Sequence, residues 1–189
     1  MEREHEWSVS LTMEKIALLG GLGPESTIMY YRGIIDAFGE TYQKTGYPEI
    51  LIDSVDLKRT VAMADADRWS ELAQDFAGRF EAMRAAGADF GAMCSNTPHK
   101  IFDEVQQQTT LPLISIVEAT RRKAEQNGLE RLLLLGTRTT MSSDFYAQRF
   151  QRSNIKLYMP DAADQDYLND KIFSELEHGI LKPETKQGL

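Results

Sequence analysis

Ile16-Ala-Leu-Leu-Gly-Gly-Leu-Gly-Pro-Glu-Ser26 is the stretch that decides the fold. Four apolar residues lead into a glycine-rich turn. Pro24 then stands where a first helical residue belongs, since proline has no N–H to lose there and its φ is already helical. The reading is a buried strand, a turn and a helix. The same order recurs where Asp89–Met93 runs into Ser95–Thr97 and Pro98. Outward from these two units, Ile50–Ile52, Leu111–Ile114, Leu132–Leu135 and Ile155–Tyr158 are short apolar runs that read as strands. Between them a helical period runs through Trp69, Leu72, Phe76, Phe80 and Met83, and again through Leu168, Ile172 and Leu176. The alternation predicts an α/β fold of parallel sheets flanked by helices. Residues 1–12 are expected to be a loose extension, 13–116 a first α/β unit and 117–189 a second.

Composition narrows the function classes. The chain has 189 residues, 42% hydrophobic and 26% charged, enough to build a core and too apolar for global disorder. Lys+Arg 21 against Asp+Glu 29 gives a net charge of −8, which repels a phosphate backbone, and no basic stripe offsets it; no nucleic-acid partner is expected. A single cysteine, Cys94, cannot close an internal disulfide, so a reducing, cytoplasmic setting is expected. His5, His99 and His178 are too scattered for a helical metal pair, and no metal is expected. No apolar run approaches the roughly 20 residues of a membrane span.

Ligands of open α/β sheets bind beyond the carboxyl ends of the strands, where helix N-termini offer free N–H groups. The loop Gly20–Ser26 looks like a dinucleotide fingerprint, but Ser26 replaces the third glycine and Pro24 removes a donor. A carboxylate-sized ligand fits it better, with a Ser26 or Thr27 hydroxyl pointing into the cleft. Met93-Cys-Ser-Asn-Thr-Pro-His-Lys100 is the densest polar cluster. Thr97 is placed to cap the helix that Pro98 opens. Asn96 either braces the loop or meets a ligand's carboxylate. Cys94 is a small buried hydrophobe, or, beside a helix N-terminus, a thiol of lowered pKa able to act as a base. In Gly136-Thr-Arg-Thr-Thr140, Thr139 or Thr140 is the expected cap and Thr137 is free to reach a ligand. Arg59, after the second strand, is either a two-pronged carboxylate grip or a solvated surface cation.

Gly20-Gly-Leu-Gly-Pro-Glu-Ser-Thr-Ile-Met-Tyr-Tyr31, Ser95-Asn-Thr-Pro-His-Lys100 and Leu134-Leu-Gly-Thr-Arg-Thr-Thr-Met141 with Asp144-Phe-Tyr146 resemble the cofactor-independent aspartate/glutamate racemase family, most closely its broad-specificity amino-acid branch. The resemblance covers roughly residues 13–182. It implies two pseudo-symmetric α/β units with an amino acid or small dicarboxylate between them, no cofactor, and a homodimer. It also implies one acid/base residue on each side of the α-carbon, usually two cysteines, with closely packed donors stabilising the carbanion-like state.

The sequence departs from that pattern twice. Alignment on Asn96-Thr97 puts Ser95, a weaker acid and base than a thiol, at the first catalytic position, with Cys94 as its neighbour. The family's second motif, Gly-Cys-Thr-Glu, is missing, so the second unit is expected to be incomplete, the chain to have little activity, and apolar surface to be exposed. Arg59, Asn96, Thr97, Thr137 and Thr140 carry over as substrate-binding positions. A family lysine near Glu177-His178-Gly179 is not at its own place, with Lys182 only nearby. Decarboxylation or cis-trans isomerisation of small diacids, or non-catalytic binding of a small acid, are the competing readings.

Overall fold

The computed structural model describes residues 14–39 and 46–189, so the extension expected over residues 1–12 lies outside the described residues. Strand β1 (Ile16–Gly20) is buried at all five positions. It lies inside a parallel sheet, with β2 (Ile50–Ser54) on one side, β3 (Phe90–Met93) on the other and β4 (Leu113–Ile114) beyond β3. Ile16 is in register with both Ile50 and Phe90. A parallel strand with helices on both faces has no polar side to show, and Ile-Ala-Leu-Leu meets that demand. β4 is shorter than the apolar run Leu111–Ile114 because Pro112 has no N–H to give a ladder.

The period-2 geometry of the strands divides the core in two. Ala17, Leu19 and Met93 face the apolar side of α3 (Trp69–Ala85), where Leu72, Phe76, Phe80 and Met83 are buried as their spacing predicted. Ile16, Leu18, Ala92 and Cys94 face the other way, towards Tyr30 and Ile34 of α1 (Pro24–Gly39). Helix α2 (Leu57–Asp65) precedes α3 and is capped by Asp56, whose carboxylate accepts from the N–H groups of Lys58 and Arg59. After β3 a 3-10 turn (Thr97–Ile101) leads into α4 (Phe102–Gln108).

Helix α5 (Ile116–Gln126), capped by Ser115, leads to a second parallel pair, β5 (Arg131–Leu133) and β6 (Lys156–Tyr158). Short helices α6 (Arg138–Ser142) and α7 (Phe145–Phe150) lie between these strands. After β6 come α8 (Ala162–Ser174), a 3-10 turn (Leu176–His178) and α9 (Pro183–Gly188). The helical period expected through Leu176 breaks at Glu175, whose φ of −132° leaves the helical region. Val117, Phe145, Tyr146, Phe150 and Ile155 form a separate apolar cluster around this pair.

Apolar surface is also exposed. Met29 is 71% and Leu133 60% accessible. An open groove of about 940 Å3 runs between α1 and α5, lined by Tyr30, Ile34, Phe90 and Leu132 among others. Among the described residues no helix is long and apolar enough to cross a membrane, and no three His, Cys, Asp or Glu side chains gather as a metal site.

Phe80 is completely buried against the sheet, so Phe80→Ala removes a ring that nothing nearby can replace. The expected loss is about 3–5 kcal/mol, read as a lower midpoint in urea unfolding with an unchanged slope.

Candidate active site

The carboxyl ends of β1, β3 and β5 open on one cleft of about 480 Å3. Ser95 and Thr97 reach it from the loop after β3, Thr137 and Arg138 from the loop after β5, and Glu177 from the turn after α8. Leu57, Val61, Trp69 and Phe76 make an apolar wall from α2 and α3. The two loops are joined by hydroxyls. Thr97 Oγ1 lies 2.8 Å from Thr137 Oγ1 and 3.2 Å from Thr140 Oγ1, and the latter two are 3.1 Å apart. Thr137 also accepts from the Thr140 N–H, which makes Thr137 the cap of α6 in place of the expected Thr139 or Thr140. Thr97 caps nothing. The 3-10 turn already begins at Thr97, and its hydroxyl bonds across to the second loop instead.

The glycine loop after β1 has a structural task. Gly21 has φ +76°, and a Cβ there would collide with the Val55 backbone. The Gly21 N–H donates to Thr27 Oγ1, and the Thr27 hydroxyl donates to the Gly23 carbonyl. The Ser26 hydroxyl donates to the Cys94 carbonyl at 2.5 Å. Neither hydroxyl reaches into the cleft, contrary to the sequence expectation, because the turn's own polar groups hold both.

Three neutral contacts fix the Ser95 loop. His99 is buried, receives the Ile116 N–H on Nε2 at 3.2 Å, and donates from Nδ1 to the Ser95 carbonyl at 2.9 Å. Burial pushes its pKa down to about 4, which suits a neutral ring with one donor and one acceptor nitrogen. The Tyr146 hydroxyl of α7 donates to Asn96 Oδ1 at 2.5 Å, so Asn96 braces the loop. The Ser95 hydroxyl itself has no hydrogen-bond partner among the described residues and opens on the cleft.

Cys94 is placed otherwise than a base requires. It is fully buried on the α1 side of β3, and burial pushes its thiol up to about 12. The lowered pKa considered from its nearness to a helix start does not arise, because the strand turns the thiol away from the cleft into an apolar layer. Arg59 also lies apart. Its guanidinium is exposed and sits 3.9 Å from Asp75 of α3, while the adjacent Thr60 lines the cleft.

The Asp/Glu/hydantoin racemase family model matches residues 19–189. The chain belongs to that family. It is 30% identical over 135 residues to the broad specificity amino-acid racemase RacX of Bacillus subtilis, a match covering 69% of this chain and 58% of RacX. It thus spans less than two thirds of that relative. A candidate Asp/Glu racemase of Yersinia pestis superimposes with a TM-score of 0.82 at 32% identity, over 93% of this chain and 77% of the other. An aspartate racemase homologue of Pyrococcus horikoshii gives 0.76 at 35%, over 90% and 74%.

Within this racemase-family chain, two charged cleft residues lie outside the expected site positions. Arg138 lines the cleft, and its guanidinium pairs with Asp166 of α8 at 2.5 Å. It sits between two threonines that drew the attention. Glu177 lies in the stretch where the resemblance places a family lysine, and no role was expected for the glutamate itself. Its neighbour Glu175 is buried, held by the Thr185 hydroxyl at 2.6 Å and Lys171 at 2.9 Å, with its carboxyl well lowered, to about 2. Lys182 completes that cluster at 3.4 Å and so stays out of the cleft.

Two outcomes follow from these placements. Cys94 resists alkylation by iodoacetamide at pH 8 in the native protein and reacts stoichiometrically in denaturant; rapid native labelling contradicts its burial. Because the folded pKa of His99 is depressed, the fold binds fewer protons than the unfolded chain at low pH. Its stability contribution is complete above about pH 6.5 and is lost as pH falls towards about 4. Urea unfolding from pH 7 to 4 reads this slope, which disappears in His99→Gln.

Proposed function

We propose that this cleft exchanges the proton at the α-carbon of an amino acid without a cofactor, the chemistry of an amino-acid racemase of the aspartate/glutamate type. The observation that carries the reading is the free Ser95 hydroxyl, which lines the same cleft as Thr97 and Thr137, a cleft with ample room for a small amino acid. Ser95 stands where the family's first cysteine is expected and acts as the acid/base group on one face of the α-carbon. Thr97 and Thr137 come from different loops, and their mutual bonds hold them in position before a ligand arrives. Preorganised hydroxyl donors of this kind stabilise the negative charge that develops as the α-proton leaves. A serine hydroxyl is a weaker acid and base than a thiol, so turnover is slow and unequal for the two enantiomers. Cys94 has no part in this reading.

Deuterium incorporation at the α-carbon, followed by NMR in heavy water with L- and D-aspartate, glutamate and a panel of neutral amino acids, tests the proposal. Exchange in the unaltered chain is expected to be slow, since the family's second motif is missing, and to fall about 100-fold further in Ser95→Ala. Binding of the amino acids without any exchange overturns it in favour of a small-acid binding protein.

A further inference from the structure

Glu177 lines the cleft from the 3-10 turn that follows α8 and packs on α1. Its carboxylate rests over the glycine loop, where a Cβ on Gly23 would come within 2.8 Å of Glu177 Oε2 and 3.0 Å of Oε1. Glu177 is half-buried, and among the described residues it makes no hydrogen bond and no ion pair. The cations near it are engaged: Lys171 and Lys182 bind Glu175, and Arg138, on the cleft wall, binds Asp166. Arg59 of α2 is turned to Asp75. Asp65, the other carboxylate of the cleft, is solvent-exposed at the end of α2. Burial raises the Glu177 carboxyl above the ordinary range, opposed by His178 on the same turn and reinforced by Glu25 of α1. The cleft is short of positive charge at this acid, so a cation carried in by the ligand gains an uncontested partner.

The rest of the cleft says what else that ligand carries. Leu57, Val61, Trp69 and Phe76 give it an apolar wall on α2 and α3. An aspartate side chain is too short to cover such a wall, and a glutamate brings a second carboxylate to a cleft whose cation already has a partner. A lysine, ornithine or arginine side chain meets both conditions, since its methylene stem lies along apolar surface while its charged head stays with a polar partner. A cleft of about 480 Å3 has room for it. The Thr97 and Thr137 hydroxyls, which come from the loops after β3 and β5, remain for the α-carboxylate.

We propose that Glu177 is a specificity residue that selects amino acids with a cationic side chain, binding the ammonium or guanidinium head while the stem packs on the wall of α2 and α3. This rests on the proton-exchange reading above for its amino-acid ligand, and names the class of that substrate. Glu177 acts through affinity and takes no part in moving the α-proton.

The test is calorimetric titration of the whole chain with lysine, arginine, glutamate and norleucine, the last having a stem like lysine's without the charge. Both enantiomers are used, and α-deuterium exchange is followed on the same samples. Lysine and arginine are expected to bind the unaltered chain about tenfold or more tighter than norleucine, and glutamate weakest of all. Glu177→Gln, with its folding checked by circular dichroism, weakens lysine and arginine about 10- to 100-fold and leaves norleucine within about threefold. Glu177→Lys moves the preference to glutamate. Glutamate binding the unaltered chain as tightly as lysine overturns the proposal without any variant. An equal loss for lysine and norleucine in Glu177→Gln also overturns it, since the acid then meets the α-ammonium group that all amino acids share. Exchange without preference for basic side chains overturns this proposal and leaves the proton-exchange reading in place. Lysine-selective binding without exchange does the reverse, because selection is read from affinity alone. If no amino acid binds, both fall.

Discussion

Everything in the molecule hangs on the parallel pairing of β1 with β2 and β3. Parallel strands send all their carboxyl ends to one edge of the sheet. The loops that follow them, and the N-termini of the helices those loops begin, are therefore collected on that edge whatever their sequence. Complete burial of Ile16–Gly20 holds the register, since a slip of one residue would exchange the α1-facing and α3-facing sets of side chains. The same alternation separates two neighbours in sequence. Cys94 goes into the apolar layer under α1, and Ser95, just past the strand end, opens on the cleft.

The loop after β3 is held by neutral groups. His99, Asn96 with Tyr146, and the three threonine hydroxyls tie the loop after β3 to the rest of the chain through hydrogen bonds between uncharged partners. Burying such groups costs little once each donor has an acceptor, whereas burying a charge demands a partner charge or a change of protonation. Glu175 and Glu177 show both outcomes two residues apart. Glu175, bonded to Thr185 and Lys171, is held ionised at low pH. Glu177, partly desolvated and without a hydrogen bond or ion pair among the described residues, is pushed the other way. Two carboxylates two residues apart thus have their pKa values moved in opposite directions by their surroundings.

Much of this was legible in the chain. The strand-turn-helix units, the stripe from Trp69 to Met83 and the three motifs that carry the family resemblance depend on local spacing, and local spacing survives folding. The errors concern which polar atom meets which. Thr97 precedes Pro98 as a cap does, yet its hydroxyl bonds to Thr137, forty positions away. Local spacing offers a Ser26 or Thr27 hydroxyl to a ligand, but the backbone of their own turn and of Cys94 holds both. Arg59 follows β2 as a carboxylate grip should, but its position on α2 sends it towards Asp75 while Thr60 takes the cleft side.

The sequence by itself determined the class of fold, the order of its elements and the loops worth watching, because apolar periodicity, prolines at helix starts and glycines at turns act within a few residues of one another. Only the tertiary structure decided which side chains share the cleft. Thr137 and Arg138 arrive from β5, Glu177 from the far end of α8, and their approach to Ser95 depends on how the second strand pair and the C-terminal turn pack against the first sheet. The protonation of Cys94, His99 and Glu177 was decided there as well, since burial and partners set a pKa and neither is a property of a residue's neighbours in sequence.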